Sequence, residues 1–158
     1  MGKREGIVRV ARHQTRKLSP MKKEKTEQQL KEKWRKKCVD IAKKIARKRA
    51  NFICEHCGIG EPVRMTHGSH IYSEGFNTSM SADTDNILCL CWLCHLGGLK
   101  TVRTNRFSWH GTPKEASDWF EQKFPKRARM LKIRSRKTVV CTLQMWKNKY
   151  EELKKEYE

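Results

Sequence analysis

Asp85-Asn-Ile-Leu-Cys-Leu-Cys-Trp-Leu-Cys-His95 packs three cysteines into six residues, with a histidine directly behind the last and an asparagine near the front. A second pair stands upstream in Cys54-Glu-His-Cys57-Gly58, and 33 residues separate Cys57 from Cys91. Two-residue spacing lets both sulfurs of a tight turn reach one Zn²⁺ at about 2.3 Å, and two such turns close a tetrahedral shell. Cys54, Cys57, Cys91 and Cys94 are therefore expected to hold a structural zinc, leaving no position open for water or substrate. Cys89 could replace Cys91 only in a longer or strained chelate, so it is assigned to packing. Cys38 and Cys141 read as ordinary buried thiols. His56, inside the first turn, is given no catalytic role and is expected to meet solvent or a nucleic acid.

The cysteines are read as metal ligands and not as disulfides because the chain is expected to be intracellular. Its opening residues, MGKREGIVRV, carry charge without an apolar core and show no signal peptide. No apolar run approaches the roughly 20 residues of a spanning helix. The net charge is +19, and residues 1–50 hold nineteen Lys and Arg against five Asp and Glu. Such density suits a polyanion, because each neutralised phosphate releases counterions. A nucleic acid is the expected partner and a membrane is not.

At 158 residues the chain accommodates one compact unit with extensions. Residues 1–20 read as a basic flexible arm and 21–50 as a basic amphipathic helix, whose stripe runs Leu30, Trp34, Cys38, Ile41 and Ile45. Residues 51–101 change texture to Cys, His and Gly. There PVRMTHGSHIY offers two short extended runs about a glycine, and a helix is expected to begin within the second cysteine cluster and to end at Gly97 and Gly98. Residues 102–158 read as helical extensions. One helix starts at Thr112, with Pro113 at its first position and Glu115 placed for a capping box, and Pro125 ends it or starts another. KTVVCTL is a short strand or a buried linker. Leu143, Trp146, Tyr150, Leu153 and Tyr157 form a heptad-like seam on a closing helix, better suited to packing within the chain, though also a candidate dimer interface. The expected fold is α+β, mostly helical, with a small zinc-stapled module between a basic helix and C-terminal helices.

Inside the 33-residue interval stand His67-Gly-Ser-His70 and Asn86, with His95 just beyond. Metal-assisted phosphodiester hydrolysis needs a base for water, a cation at the scissile and leaving oxygens, and groups that orient both. His70, His95 and Asn86 are candidates for these roles.

The stretch Cys54–Thr101 resembles the HNH nucleases (His-Me finger, ββα-metal), in which a CxxC pair precedes His-Ile on a strand and an NLxxLCxxCH motif. Asn86 to His95 falls into that register without a gap, and Cys89 then takes an apolar position of the pattern. SWHGTPKEASDWFEQKFP is similar to the tails of phage NinG/Rap-type recombination nucleases, and the cysteine layout is like that of phage endonuclease VII. The resemblance implies a ββα-metal module and a metal-dependent endonuclease acting on branched DNA, a Holliday junction or a flap. It implies His70 as general base, Asn86 as brace of the loop, and His95 as ligand to Mg²⁺ or Mn²⁺. It also implies a cytoplasmic location, in a host cell if the chain is phage-encoded, and a homodimer would suit symmetric cleavage. The sequence departs from the pattern at Ser69, where many members carry an Asp or His as second ligand. His67, Glu74, Asp83 and Asp85 are candidates to replace it. Two other readings remain: a nonenzymatic zinc ribbon that binds nucleic acid, and a sequence-specific homing or restriction-type HNH enzyme.

Overall fold

The structure, a computed structural model, describes residues 26–63, 65–97 and 108–158. The predicted arm at 1–20, the first residues of the predicted basic helix, Gly98, and the junction of the middle and C-terminal segments lie outside the described residues. The protein is α+β and mostly helical.

Helix α1 spans Glu27–Arg49 and starts where Thr26 can cap it: the Thr26 hydroxyl accepts from Gln29 N, and the Gln29 side chain accepts from Thr26 N. Its buried face comprises Cys38, Val39, Ala42, Ile45 and Ala46, wider than the predicted stripe because two partners cover it. One partner is the last helix, Leu143–Tyr157, whose Trp146 and Leu153 are fully buried against α1 while Tyr150 meets Trp34 edge-on at 5.3 Å. Most of the heptad-like seam is thus used within the chain, with Tyr157 left exposed at its end.

The other partner is an antiparallel hairpin of β1 (Thr66–His70) and β2 (Ile87–Cys91), in register from Thr66 opposite Cys91 to His70 opposite Ile87. β2 is buried at every residue because it is covered on both faces. Ile87 joins the core with α1, whereas Leu88 and Leu90 point the other way into a core with Phe120 and Leu131, as the period of two requires. The two predicted extended runs about the glycine are one strand, β1, which passes straight through Gly68. Gly68 permits the close approach of α1: a Cβ there would lie 2.8 Å from Lys43 Cβ and 3.1 Å from Ile87 Cγ2.

Helix α2 (Trp92–Leu96) follows β2 directly, so a helix does begin between Cys91 and Cys94. Pro113–Lys123 (α3) and Pro125–Ser135 (α4) each start on a proline whose missing N–H costs nothing at that position. The predicted capping box at Thr112 does not form. The Thr112 hydroxyl instead accepts from Ser108 N at 3.1 Å and lies 3.3 Å from Ser108 O, closing the turn that leads into α3. Residues 137–142 are neither strand nor buried linker: no described strand edge is beside them, Val140 is 81% exposed, and Cys141 is only half-buried. The last helix is α5. No described helix is long and apolar enough to cross a membrane.

Arg127 on α4 ties the layers together. Its guanidinium donates to Asp85 O and Ile87 O, both at 2.7 Å, and to Glu55 Oε1 at 3.3 Å, while lying over the rings of Phe120 and Phe124. Both ends of the Arg127–Glu55 pair are 15% exposed. Truncating one partner of a buried pair leaves the other charge uncompensated, a loss of about 3–5 kcal/mol. Arg127→Ala should therefore lower unfolding free energy in urea by about 3 kcal/mol. Arg127→Lys should recover only part of it, because an ammonium cannot reproduce the planar fork.

Candidate metal centre and histidine cleft

The first CxxC turn follows α1 through Asn51 and Phe52, which both take positive φ, 48° and 57°, and reverse the chain. Cys54 N donates to Ile59 O and Gly58 N to Cys54 O, and Gly58 takes φ 72°, a conformation that favours glycine. The turn is docked on β2: Glu55 N donates to Cys89 O at 2.8 Å, and Cys89 N donates to the Glu55 carboxylate at 2.6 Å. Cys89 is fully buried and serves this docking, not the cluster.

The sulfurs of Cys54, Cys57, Cys91 and Cys94 lie within 4.8 Å of one another, and among the described residues they are the one such group of three or more His, Cys, Asp or Glu. Cys57 Sγ and Cys91 Sγ are 3.7 Å apart, which matches the edge of a tetrahedron with bonds of about 2.3 Å, roughly 3.8 Å. The donor set is all-sulfur and mostly buried, so it fits a structural metal such as zinc. The cluster also polarises its own thiols. The Cys94 thiol, with backbone amides behind it, pulls Cys54 down to about 4, and the Cys54 sulfur beside it pushes Cys94 up. Four crowded sulfurs cannot all ionise without a cation among them. His56 is half-buried and turns one nitrogen inward: its Nδ1 lies 3.2 Å from Cys94 Sγ, where an N–H···S bond would hold the sulfur in place.

The predicted histidines line a separate cleft of about 430 Å³ formed by Lys43, Gly68, His70, Glu74, His95 and His110, among others. His70, at the end of β1, lies with Nε2 2.7 Å from Ser81 O. Ser81 O only accepts, and so does the Glu74 carboxylate on the other side of the ring, so the neutral ring donates to one of them and the protonated ring to both. Nδ1 is 3.1 Å from Glu74 Oε1. Burial holds the His70 pKa below its ordinary value against the raising influence of Ser81 O and Glu74. Burial works against the charge of Glu74, but Lys43, His70 and Arg35 together hold its carboxyl below the usual range. Both its oxygens are engaged, Oε1 by Lys43 and Oε2 by Arg35.

Asn86 is fully buried and ties the 72–86 loop to itself. Its Oδ1 accepts from Tyr72 N at 2.8 Å, and its Nδ2 donates to Tyr72 O and Met80 O. His95 stands on α2 with Nε2 3.2 Å from His110 Nε2, and its buried Nδ1 has no hydrogen-bond partner among the described residues. Burial first, then His110 and His67, push its pKa down to about 4, so the ring is neutral.

The structure thus brings His70 and His95 to one cleft and puts Asn86 behind it. It does not bring Asp83 or Asp85 there: both carboxylates are held by Arg134, at 2.7 and 3.0 Å. Ser69 is buried, with Oγ unpartnered among the described residues, and does not line the cleft. Sequence reasoning missed His110, Lys43 and the Ser81 carbonyl. His110 sits in the quoted SWHG stretch, but no spacing rule links it to His95 across 14 residues.

Neither family models, curated proteins nor solved structures show a match to the chain.

Removal of the metal from the cysteine cluster should dismantle the middle of the protein while leaving the α1–α5 pair partly helical, since metal binding supplies folding free energy locally. Cys94→Ser should lose zinc by elemental analysis and lose near-ultraviolet dichroism, with a smaller fall in helical signal. Full zinc content in that variant would refute the four-sulfur assignment.

Proposed function

We propose that the protein is a metal-dependent DNA endonuclease of HNH type acting on branched DNA, a junction or a flap. The observation that carries this reading is the placing of His70, held between the Ser81 carbonyl and the Glu74 carboxylate, in one cleft with His95. The hairpin and the helix that follows it agree with the ββα-metal arrangement that the resemblance implies, and a cysteine zinc site beneath would keep that frame rigid.

His95 offers a nitrogen to a divalent cation, Mg²⁺ or Mn²⁺, which when bound would supply positive charge to the scissile phosphate and the leaving oxygen. A water molecule that displaces the Glu74 carboxylate from His70 Nδ1 gives its proton to that nitrogen as its oxygen bonds to phosphorus, and the bond to the 3′ oxygen breaks, that oxygen taking a proton from solvent. The imidazolium so formed is flanked by Ser81 O and the Glu74 carboxylate, which stabilise it as the acid of a triad stabilises its histidine. Lys43 adds a fixed cation to the cleft wall. Asn86 acts by positioning, holding the loop that carries Ser81 O. The excess of positive charge suits phosphate binding. Exposed Lys33, Lys36, Lys44 and Lys48 on α1 form a basic face opposite the core.

A zinc-ribbon protein that binds nucleic acid without cutting it would share the cysteines and the charge, but gives no role to a buried histidine fixed between a carbonyl and a carboxylate. Incubation with a four-way junction, a flap and a linear duplex in Mg²⁺ or Mn²⁺ separates the readings. His70→Gln retains a donor for Ser81 O without a basic nitrogen, and should lose about 10²–10⁴-fold in cleavage rate while keeping fold and DNA affinity. His70 acts when neutral, so the rate should rise with pH through a value below about 6.5 and then level off. Glu74→Gln should move that rise lower still. Equal cleavage by wild type and His70→Gln excludes the base, and cleavage of none of the three substrates favours the binding protein.

A further inference from the structure

The sequence leaves the cation of the cleft with one protein ligand, because Ser69 stands where a second is expected and is turned into the core. The structure assigns that second ligand to His110: we infer that His95 and His110 together hold one divalent transition-metal ion, distinct from the cysteine site, through their two Nε2 atoms. The inference builds on the reading of His95 as a metal ligand and adds a ligand from outside the hairpin.

The geometry is that of two ligands on one ion. At metal–nitrogen bonds of about 2.1 Å, two nitrogens stand about 3.0 Å apart on an octahedron and about 3.4 Å apart on a tetrahedron. The observed Nε2–Nε2 distance is 3.2 Å. The backbone holds the pair in this relation before any ion arrives. Trp109 N donates to Cys94 O at 2.8 Å and His110 N to His95 O at 3.2 Å, so the turn that carries His110 is laced to the end of α2. Behind it, Gly111 N donates to the Ser108 hydroxyl at 2.8 Å, and Ser108 is itself fully buried. The His110 side of the pair is exposed and the rings line the cleft, which leaves a way in for the ion and for a phosphate.

No third His, Cys, Asp or Glu among the described residues comes close enough to join them. The remaining positions fall to water and to phosphate oxygens. Two imidazoles and oxygen ligands favour Mn²⁺, Co²⁺, Ni²⁺ or Zn²⁺ over Mg²⁺, which prefers an all-oxygen shell. The site is therefore expected to discriminate against magnesium.

Binding can be read without any nuclease assay. Zinc-loaded full-length protein, checked for its cysteine-bound zinc, is titrated with Mn²⁺ and followed by loss of the free-ion signal in electron paramagnetic resonance. Wild type should take up one Mn²⁺ per chain, and a large excess of Mg²⁺ should displace little of it. His110→Ala should weaken Mn²⁺ by more than the roughly 100-fold that marks the upper end of losing a ligand's hydrogen-bond partner, with zinc content and circular dichroism unchanged. His67→Ala, whose ring lies 5.9 Å from that of His95, should bind as wild type does. Unchanged Mn²⁺ affinity in His110→Ala, or no Mn²⁺ uptake by wild type, would overturn the inference, leaving the pair as a hydrogen bond between neutral rings. Mn²⁺ binding that depends on His110 but is accompanied by no DNA cleavage would uphold the site and sink the endonuclease reading. Full cleavage by His110→Ala would do the reverse.

Discussion

Four sulfurs brought together from two turns set the geometry of everything around them. The first turn is otherwise attached by a bridge between Ile53 and Gly60, by the Glu55 bonds to Cys89 and Arg127, and by His56 against Cys94. The second turn is the passage from β2 into α2, a helix of five residues that could not persist alone. Joining the two fixes the direction in which α2 leaves the strand. His95 is the residue after Cys94, so the orientation of the histidine is inherited from the cysteine cluster. The cysteine cluster and the histidine cleft are thus joined through a single peptide bond.

Charge connects the basic helix to the cleft in a second way. Glu74 receives Arg35 and Lys43 from α1 and stands against His70 from β1. Without that carboxylate, three basic groups would face each other in a half-buried pocket, and the protonated form of His70 would have no counter-charge. The Lys43 stem also lies over Gly68, so the same side chain sets the spacing between helix and strand and delivers an ammonium group to the acid.

Elements with strong local signals were legible in the sequence. The cysteine spacing pointed to the cluster, the prolines marked the starts of α3 and α4, and the apolar period of α1 and α5 marked their facing sides. What escaped were relations set by tertiary contact. Thr112 looked like the cap of a box with Glu115, but the turn formed by Ser108 took its hydroxyl. Val139 and Val140 have strand propensity but no neighbouring edge to pair with, and they stay exposed. Asp83 and Asp85 looked available for a cation until Arg134 arrived from a helix about 50 residues away in sequence. The histidine cleft divided in the same manner: His70 and His95 stood out by register, whereas the Ser81 carbonyl and His110 depend on how a loop and a turn fold back.

Arg127 carries an implication for how such a sequence can drift. Two of its three bonded partners are main-chain oxygens, at Asp85 and Ile87, and these are present whatever side chains occupy those positions. Substitution at 85 or 87 leaves these two acceptors in place, so the clamp makes no demand of its own on those side chains, and at 87 burial alone restricts the choice. Position 127 has no such freedom, and neither has Glu55, its one side-chain partner. Among diverging descendants of this chain, the pair 55 and 127 should therefore change together or not at all, whereas the choice of side chain at 85 and 87 is set by other contacts.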